Sequence, residues 1–262
     1  MFEEKIRAKG EEKVGIEKVR EYGRKAIRAF FNGEKRREEE RLVADFGRAD
    51  ISRGELTGHP EKRSEDTMLF DTERGVFGVF DGMGGVVGGA EASRAAAQAF
   101  AQMVLKYPPK NTDELREMVR AMSDVVRENP RAGGSTASVG QIVERNHQKY
   151  LLYAQVGDSR IYQIRQGEAR QLTEDEGYQN KLWNYLGKPD LAIPQTGVVP
   201  LQKGDYLVFC SDGITGDFEK DFIPNKEIAR IVERSRTASE AARNLTQRAT
   251  KVDDRTALVV KM

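Results

Sequence analysis

Gly75-Val76-Phe77-Gly78-Val79-Phe80-Asp81-Gly82-Met83-Gly84-Gly85 combines an apolar run, an acidic residue and a glycine-rich turn. Its first half is a continuous apolar run, which predicts a buried strand. The run ends at a carboxylate, Asp81, followed by a glycine-rich turn. An unpaired buried charge is costly, so a carboxylate at the end of a buried strand needs a partner. Taken alone, the turn is compatible with a cation site, a phosphate cradle of backbone amides or a purely structural turn.

The same arrangement recurs at two other places. Asp212 follows the apolar run Tyr206–Cys210, and Asp253 with Asp254 precedes the apolar run 257–260. The chain has one cysteine and two histidines, which excludes an internal disulfide framework and any cysteine-based zinc site. Carboxylates without nitrogen or sulfur donors indicate hard cations held by oxygen ligands.

Composition excludes several classes of protein. The chain has 262 residues and a formal net charge of +1, which gives no general argument for nucleic acid or an anionic membrane as a partner. No apolar run approaches the length of a membrane span, and the N-terminus lacks the apolar core of a signal peptide. We therefore expect a soluble, cytoplasmic protein.

The first 41 residues differ from the rest. Residues 1–41 are dense in Glu, Lys and Arg, with a thin apolar stripe at roughly helical spacing, and they predict a charged helical extension. A solvated helix packed on its own domain is the favoured interpretation; a regulatory or docking helix that dimerises is the alternative. Residues 42–262 form the predicted catalytic domain, and the oligomeric state stays open.

From residue 42 onward, short apolar runs alternate with turn residues, and two long helical segments interrupt them. The predicted strands are Leu42–Phe46, Thr67–Phe70, Val76–Phe80, Ser138–Val143, Tyr150–Val156, Arg160–Arg165, Tyr206–Cys210 and Thr256–Val260. The predicted helices are Gly89–Lys106, Thr112–Glu128 with Thr112 as N-cap, a segment from Asn225 through Thr250, and a short helix face around Trp183 and Tyr185. Tight turns between the strands indicate hairpins, so the pattern predicts an α+β fold of two sheets flanked by helices.

Six short motifs follow one another in a fixed order. They are Ser64-Glu65-Asp66, Asp81-Gly82, Gly133-Gly134-Ser135-Thr136, Gly157-Asp158-Ser159-Arg160, Ser211-Asp212-Gly213 and Asp253-Asp254-Arg255-Thr256. Each motif alone is weak, but the ordered set resembles the metal-dependent serine/threonine protein phosphatases of the protein phosphatase 2C family, in its bacterial branch. The resemblance extends from about Leu42 to the C-terminus. It implies a central β-sandwich of two antiparallel sheets flanked by antiparallel helices.

The resemblance also implies roles for individual residues. Asp81 matches the aspartate that bridges two metal ions, and the Gly82 carbonyl completes one of them. Asp212 and Asp253 match two further ligands of the first metal, and Glu65 with Asp66 matches an acidic pair on the first hairpin. Two divalent cations, Mn²⁺ or Mg²⁺, would share a water and supply a bridging hydroxide that attacks phosphorus. Asp254 stands where the family usually has asparagine.

Phosphate recognition departs from the family pattern. The family often has an arginine five residues before the position of Asp66, and this chain has Glu61 there. Arg63 lies two residues later, and on a strand positions two apart point to the same face. We therefore predict Arg63 as the substitute that contacts the substrate phosphate; an ordinary surface arginine is the alternative.

Three further departures concern the surroundings of the site. Met83 stands where some members have a histidine proposed as general acid, and methionine cannot donate a proton. Only residues 174–186 occupy the position of a longer flap. Asp217 and Asp158 are the nearest candidates for a third metal, and we do not expect a well-formed third site.

Two classes of function fit these observations. The first is a phosphatase that hydrolyses phosphoserine and phosphothreonine in proteins, including one that acts on a kinase or a signalling switch protein. The second is a catalytically weak or inactive pseudophosphatase that serves as a binding module. The complete set Asp81, Asp212 and Asp253 favours the enzyme, because a chain without catalysis has no physical reason to keep buried carboxylates.

Overall fold

The computed structural model of this chain describes residues 42–83, 88–178, 181–190, 193–216 and 223–262. The predicted N-terminal extension, residues 1–41, lies outside the described residues. In the part of the chain that is described, no helix combines the length and apolar character needed to cross a membrane.

The described residues form twelve strands and six helices. The strands are β1 (Asp45–Ile51), β2 (Thr67–Asp71), β3 (Val76–Phe80), β4 (Ala137–Arg145), β5 (Gln148–Val156), β6 (Arg160–Arg165), β7 (Glu168–Gln171), β8 (Gly177–Tyr178), β9 (Lys181–Leu182), β10 (Gln195–Pro200), β11 (Tyr206–Cys210) and β12 (Arg255–Lys261). The helices are α1 (Arg53–Leu56), α2 (Gly89–Lys106), α3 (Thr112–Glu128), α4 (Asp212–Thr215), α5 (Asn225–Arg234) and α6 (Ala238–Arg248).

Two five-stranded antiparallel sheets form the centre of the fold. One has the strand order β1-β12-β11-β6-β7, and the other has the order β10-β5-β4-β3-β2. Helices α2 and α3 pack on the second sheet through an apolar cluster, and α5 with α6 pack on the first through another. The predicted four-layer α+β sandwich is confirmed.

Strand β3 shows why the apolar run quoted above is continuous. Phe77 and Val79 point into the cluster between the sheets, while Val76 and Phe80 point into the cluster beneath α2 and α3. Because successive side chains alternate faces and both faces are covered, every position must be apolar. The Phe77 ring centroid lies 6.1 Å from that of Phe209 on the opposite sheet, which joins the two sheets at the centre of the sandwich.

Several predicted boundaries were wrong, and the errors have structural reasons. The first strand is Asp45–Ile51, displaced from the predicted Leu42–Phe46, because its pairing with β12 sets its register from Asp45 opposite Lys261 to Ile51 opposite Arg255. Strands β7 and β10 were not predicted. They are edge strands, where one side faces solvent and the apolar pattern is weak.

Two local predictions also need correction. Asn111, not Thr112, caps α3, and its side-chain oxygen accepts a hydrogen bond from the Glu114 amide at 2.9 Å. The segment around Trp183 is not a helix; it follows β9, and Trp183 is 57% exposed. Leu186 is buried and its amide donates to the carbonyl of Ser135 at 2.8 Å, so this segment runs along the start of the central strand β4.

The centre of the sandwich generates a stability prediction. Replacing Phe77 by Ala removes a fully buried ring that joins the two sheets, and it should lower the free energy of unfolding by about 3–5 kcal/mol. Urea denaturation followed by circular dichroism measures the change. Leu105→Ala, at a position that is 46% exposed, is the matched control and should cost less than about 1 kcal/mol. Equal costs for the two variants would contradict the assignment of Phe77 to the sandwich centre.

Candidate metal centre

The strand register brings the acidic motifs to one edge of the sandwich. In the second sheet, Phe80 at the end of β3 pairs with Thr67 at the start of β2. In the first sheet, Cys210 at the end of β11 pairs with Ala257 near the start of β12. The acidic residues singled out in the sequence lie just beyond these positions, and their charges act on one another, which places them at the same edge: Asp66, Asp81, Asp212 and Asp253.

Two of the short motifs fix the backbone of Asp81. Its amide donates to the Thr136 hydroxyl at 3.0 Å, and its carbonyl accepts from the Thr136 amide at 2.8 Å. The Thr136 hydroxyl also shares a hydrogen bond of 2.7 Å with the Ser159 hydroxyl. The Gly-Ser-Thr and Gly-Asp-Ser segments thus hold the end of β3 in place, which explains why these residues accompany the acidic ones.

Gly82 is required by a close approach of backbones. It forms a bridge with Ser135, and a Cβ added at Gly82 would collide with the backbone of Gly89 and with the Glu65 carbonyl at 2.7 Å. Any larger residue would push the start of α2 away from the edge that carries Asp81. The structure thus gives a steric reason for this glycine, and the proposed use of its carbonyl as a metal ligand stays a prediction.

The carboxylates perturb one another. Burial raises the pKa of Asp81 well above its usual value, and the neighbouring charges of Asp66, Asp212, Asp158 and Asp253 raise it further, in that order. Such mutual repulsion requires that the side chains from β2, β3, β11 and β12 lie near one another. Because these carboxylates repel one another when ionised, a positively charged partner would stabilise them.

Asp66 is a second carboxylate with a raised pKa. Both of its carboxylate oxygens are buried, and among the described residues neither has a hydrogen-bond partner of good geometry. Burial raises its pKa to about 7; the nearby hydroxyls of Thr256 and Ser211 oppose the shift, and the charges of Asp254 and Asp212 add to it. An unpartnered buried carboxylate costs free energy that a bound cation would offset.

Asp212 and Asp253 already contact a cation of the chain itself. The Lys251 ammonium forms an ion pair with the Asp212 carboxylate and lies 3.2 Å from Oδ2 of Asp253. Within the described ranges, no three acidic, histidine or cysteine side chains converge tightly enough to enclose a metal ion. The aspartates are thus close enough to repel one another, and two of them share Lys251, a residue that the sequence pattern did not indicate. Its only sequence signal is a lysine two residues before a predicted ligand.

The carboxylate of Asp254, unlike those of the neighbouring aspartates, binds two backbone amides. One carboxylate oxygen accepts a hydrogen bond from the Arg53 amide at 2.6 Å, and the other accepts from the Glu65 amide at 2.8 Å. An asparagine at this position would have only one oxygen for these two donors. The carboxylate therefore fastens the segment that enters β2, with Glu65 and Asp66, to the segment that enters β12.

Glu65 lies beside the start of α2. Its carbonyl accepts a hydrogen bond of 2.6 Å from the Ser93 hydroxyl, and its side chain reaches the backbone of Gly89. Burial raises the pKa of Glu65, and the charges of Asp254 and Asp253 add to the shift. It thus shares the electrostatic environment of the aspartates.

Arg63 is exposed and lies in the irregular segment before β2. Side chains do not alternate there as they do on a strand, so the predicted relation between Arg63 and position 61 was wrong. Contact between Arg63 and phosphate stays a prediction. Glu61 contacts His59 at 3.4 Å, and both side chains are exposed. Of the two candidates for a third metal, Asp217 lies outside the described residues, and Asp158 is buried and acts electrostatically on Asp81.

Comparison with known proteins identifies the family. A family model described as Stage II sporulation protein E (SpoIIE) matches residues 71–262, well over half of the chain. The chain belongs to the SpoIIE family. Among related sequences, protein phosphatase PhpP of Streptococcus pneumoniae is 27% identical over 220 residues, which cover 73% of this chain and 82% of PhpP. Serine/threonine phosphatase stp of Listeria monocytogenes is 29% identical over 196 residues, which cover 63% and 74% of the two chains.

Solved structures share the fold of this SpoIIE-family chain. The S. agalactiae serine/threonine phosphatase has a TM-score of 0.68 at 22% identity, covering 83% of this chain and 99% of its own. Stp1 from Staphylococcus aureus has a TM-score of 0.68 at 21% identity, covering 88% and 99%. The resemblance to the protein phosphatase 2C family is confirmed, together with its sandwich fold.

The raised carboxyl pKa values predict how stability of the metal-free protein changes with pH. In the unfolded chain Asp66 ionises near 3.8, whereas in the folded protein its pKa is about 7. Stability that comes from the protonated carboxyl is complete below 3.8 and is lost as the pH rises through about 7. We expect the melting temperature in the presence of a chelator to fall by several degrees between pH 5.5 and pH 8.

Thermal unfolding at stepped pH values tests this prediction. The variant Asp66→Asn cannot ionise at this position and is the matched control, so its melting temperature should depend less steeply on pH. A wild-type melting temperature that rises over this range would contradict the assigned direction of the pKa shift.

Proposed function

We propose that this SpoIIE-family chain is a metal-dependent phosphatase that hydrolyses phosphoserine and phosphothreonine in proteins. Asp81, the Gly82 carbonyl, Asp212 and Asp253 would hold two divalent cations, Mn²⁺ or Mg²⁺. The observation that carries the proposal is the convergence of Asp66, Asp81, Asp212 and Asp253 at one sandwich edge. The relatives named above are phosphatases, which favours an enzyme over a pseudophosphatase.

The donor set supports these cations. The proposed ligands at this edge are all oxygen donors, which suits Mn²⁺ and Mg²⁺. The buried carboxylate of Asp66 and the raised pKa of Asp81 indicate negative charge that is not balanced by the described residues around it. When bound, two such cations lower the pKa of a water between them and neutralise charge on a phosphoryl group.

The protein's own residues would supply positioning and charge balance. Without cations, the carboxylates would repel a phosphate dianion, so phosphate binding depends on the neutralisation of this edge. Thr136 and Ser159 fix the position of Asp81 through backbone and hydroxyl hydrogen bonds, which keeps its carboxylate in place for the reaction. Met83 cannot donate a proton, so a water would protonate the leaving oxygen of serine or threonine.

The central test is hydrolysis of p-nitrophenyl phosphate and of a phosphothreonine peptide with added Mn²⁺. Activity should disappear with a chelator and return with metal, and Asp212→Asn should lower kcat by at least about 100-fold because a ligand is lost. Asp113→Asn, at an exposed position on α3, is the matched control and should keep wild-type activity. Activity that survives the chelator would refute metal dependence. Calorimetry that detects bound Mn²⁺ without hydrolysis would favour the pseudophosphatase.

A second test concerns phosphate recognition by Arg63. We expect Arg63→Ala to raise KM for the phosphothreonine peptide by about tenfold with little change in kcat, because the guanidinium would contribute to binding of the ground state. Lys62→Ala, at the exposed neighbouring position, is the control and should leave KM unchanged. If the Arg63 variant has the wild-type KM, Arg63 is an ordinary surface residue.

A further inference from the structure

Lys251 is a buried lysine placed directly against two of the proposed metal ligands. It lies between α6 and β12, and its side chain is only 8% exposed. Its ammonium forms an ion pair with Asp212 and lies 3.2 Å from Oδ2 of Asp253. Lysine is rarely buried to this degree unless it is paired, so these two carboxylates account for its position.

The backbone of Lys251 is held in place by a second buried cation. Arg255 donates two hydrogen bonds to the Lys251 carbonyl, from Nε at 3.0 Å and from Nη2 at 2.7 Å. Its Nη1 donates to the Thr246 carbonyl at the end of α6 at 3.2 Å. The fixed main chain directs the lysine side chain inward, which distinguishes it from a flexible surface lysine that happens to meet an aspartate.

An ammonium in this position and a divalent cation compete for the same carboxylates. Each aspartate attracts either cation, but two cations held between the same pair of side chains repel each other strongly in a poorly solvated environment. A divalent ion also requires direct oxygen ligands at about 2.0–2.6 Å, a distance that leaves no room for a bridging ammonium. The carboxylates of Asp212 and Asp253 therefore cannot serve both partners at once.

We propose that Lys251 is a resident counter-ion that holds Asp212 and Asp253 in the metal-free protein and must leave them before a divalent cation binds there. The inference rests on the proposed metal-dependent function and adds a regulatory property to it. Lys251 keeps the metal-free site folded and raises the metal concentration needed for loading. It is a positioning residue, because it acts through the ligands and not on the substrate.

The test uses the full-length protein and titration calorimetry with Mn²⁺ alone. In Lys251→Met, which keeps the length of the side chain without the charge, the dissociation constant for Mn²⁺ should fall about tenfold or more, because the competitor is gone. The melting temperature of this variant in chelator should fall below that of the wild type. Lys251→Arg, which retains a cation, is the matched control and should bind Mn²⁺ no more tightly than the wild type.

A labelling experiment on the wild-type protein keeps the inference testable if Lys251→Met does not fold. An amine-reactive reagent followed by peptide mass spectrometry should modify Lys251 slowly in chelator and at least several-fold faster with saturating Mg²⁺. Lys203, which is exposed and remote from the site, should react equally in both conditions. Labelling of Lys251 that is unchanged or slower with metal would overturn the inference.

The outcomes separate this inference from the proposed function. Mn²⁺ binding that is equally tight, or weaker, in Lys251→Met refutes the counter-ion role while leaving the metal-dependent phosphatase intact. Absence of Mn²⁺ binding to both the wild type and Lys251→Met refutes the metal site itself, and the counter-ion role with it. Tighter binding in Lys251→Met but not in Lys251→Arg supports the inference.

Discussion

Repulsion among buried carboxylates at one edge of the sandwich is the constraint on which the rest of this site depends. Asp66, Asp81, Asp212 and Asp253 come from four different strand ends, and bringing them together is unfavourable without a positive partner. The two sheets provide the opposing stabilisation, since Phe77 and Phe209 join them in an apolar centre. The packing of the two sheets therefore keeps the carboxylates together despite their repulsion, and a bound cation would reduce that repulsion.

Sequence reasoning was most successful where burial dictates residue type. Strands β3, β6 and β11 and helices α2 and α3 have the predicted bounds, because their apolar patterns follow from the faces that they bury. Edge strands β7 and β10 were not predicted. One side of each faces solvent, so their sequences do not need a strong apolar pattern. The strand pattern placed acidic residues at strand ends, and the resemblance to the phosphatase family then joined them into one predicted site.

The details of the site could not be predicted because they depend on how loops direct side chains. Arg63 was related to position 61 by strand alternation, but an irregular segment precedes β2 and removes that periodicity. Lys251 lies in a connection with no repeating pattern, and its inward direction depends on hydrogen bonds from Arg255 and on ion pairs with Asp212 and Asp253. A local sequence pattern carries little information about contacts of this kind, which depend on residues distant in the fold.

The segment from Lys251 to the first residue of β12, Arg255, holds four charged residues of both signs. Lys251 neutralises the two aspartates, Asp253 adds negative charge, Asp254 fastens the entry to β2, and Arg255 fixes the backbone that carries them. A carboxylate at position 254 raises the pKa of Asp66 and Glu65, so its clamp increases the repulsion that the site must balance. The ammonium of Lys251, which pairs with Asp212 and Asp253, offsets part of this repulsion. The segment that adds negative charge through Asp253 and Asp254 thus also supplies the ammonium of Lys251, which pairs with Asp212 and Asp253.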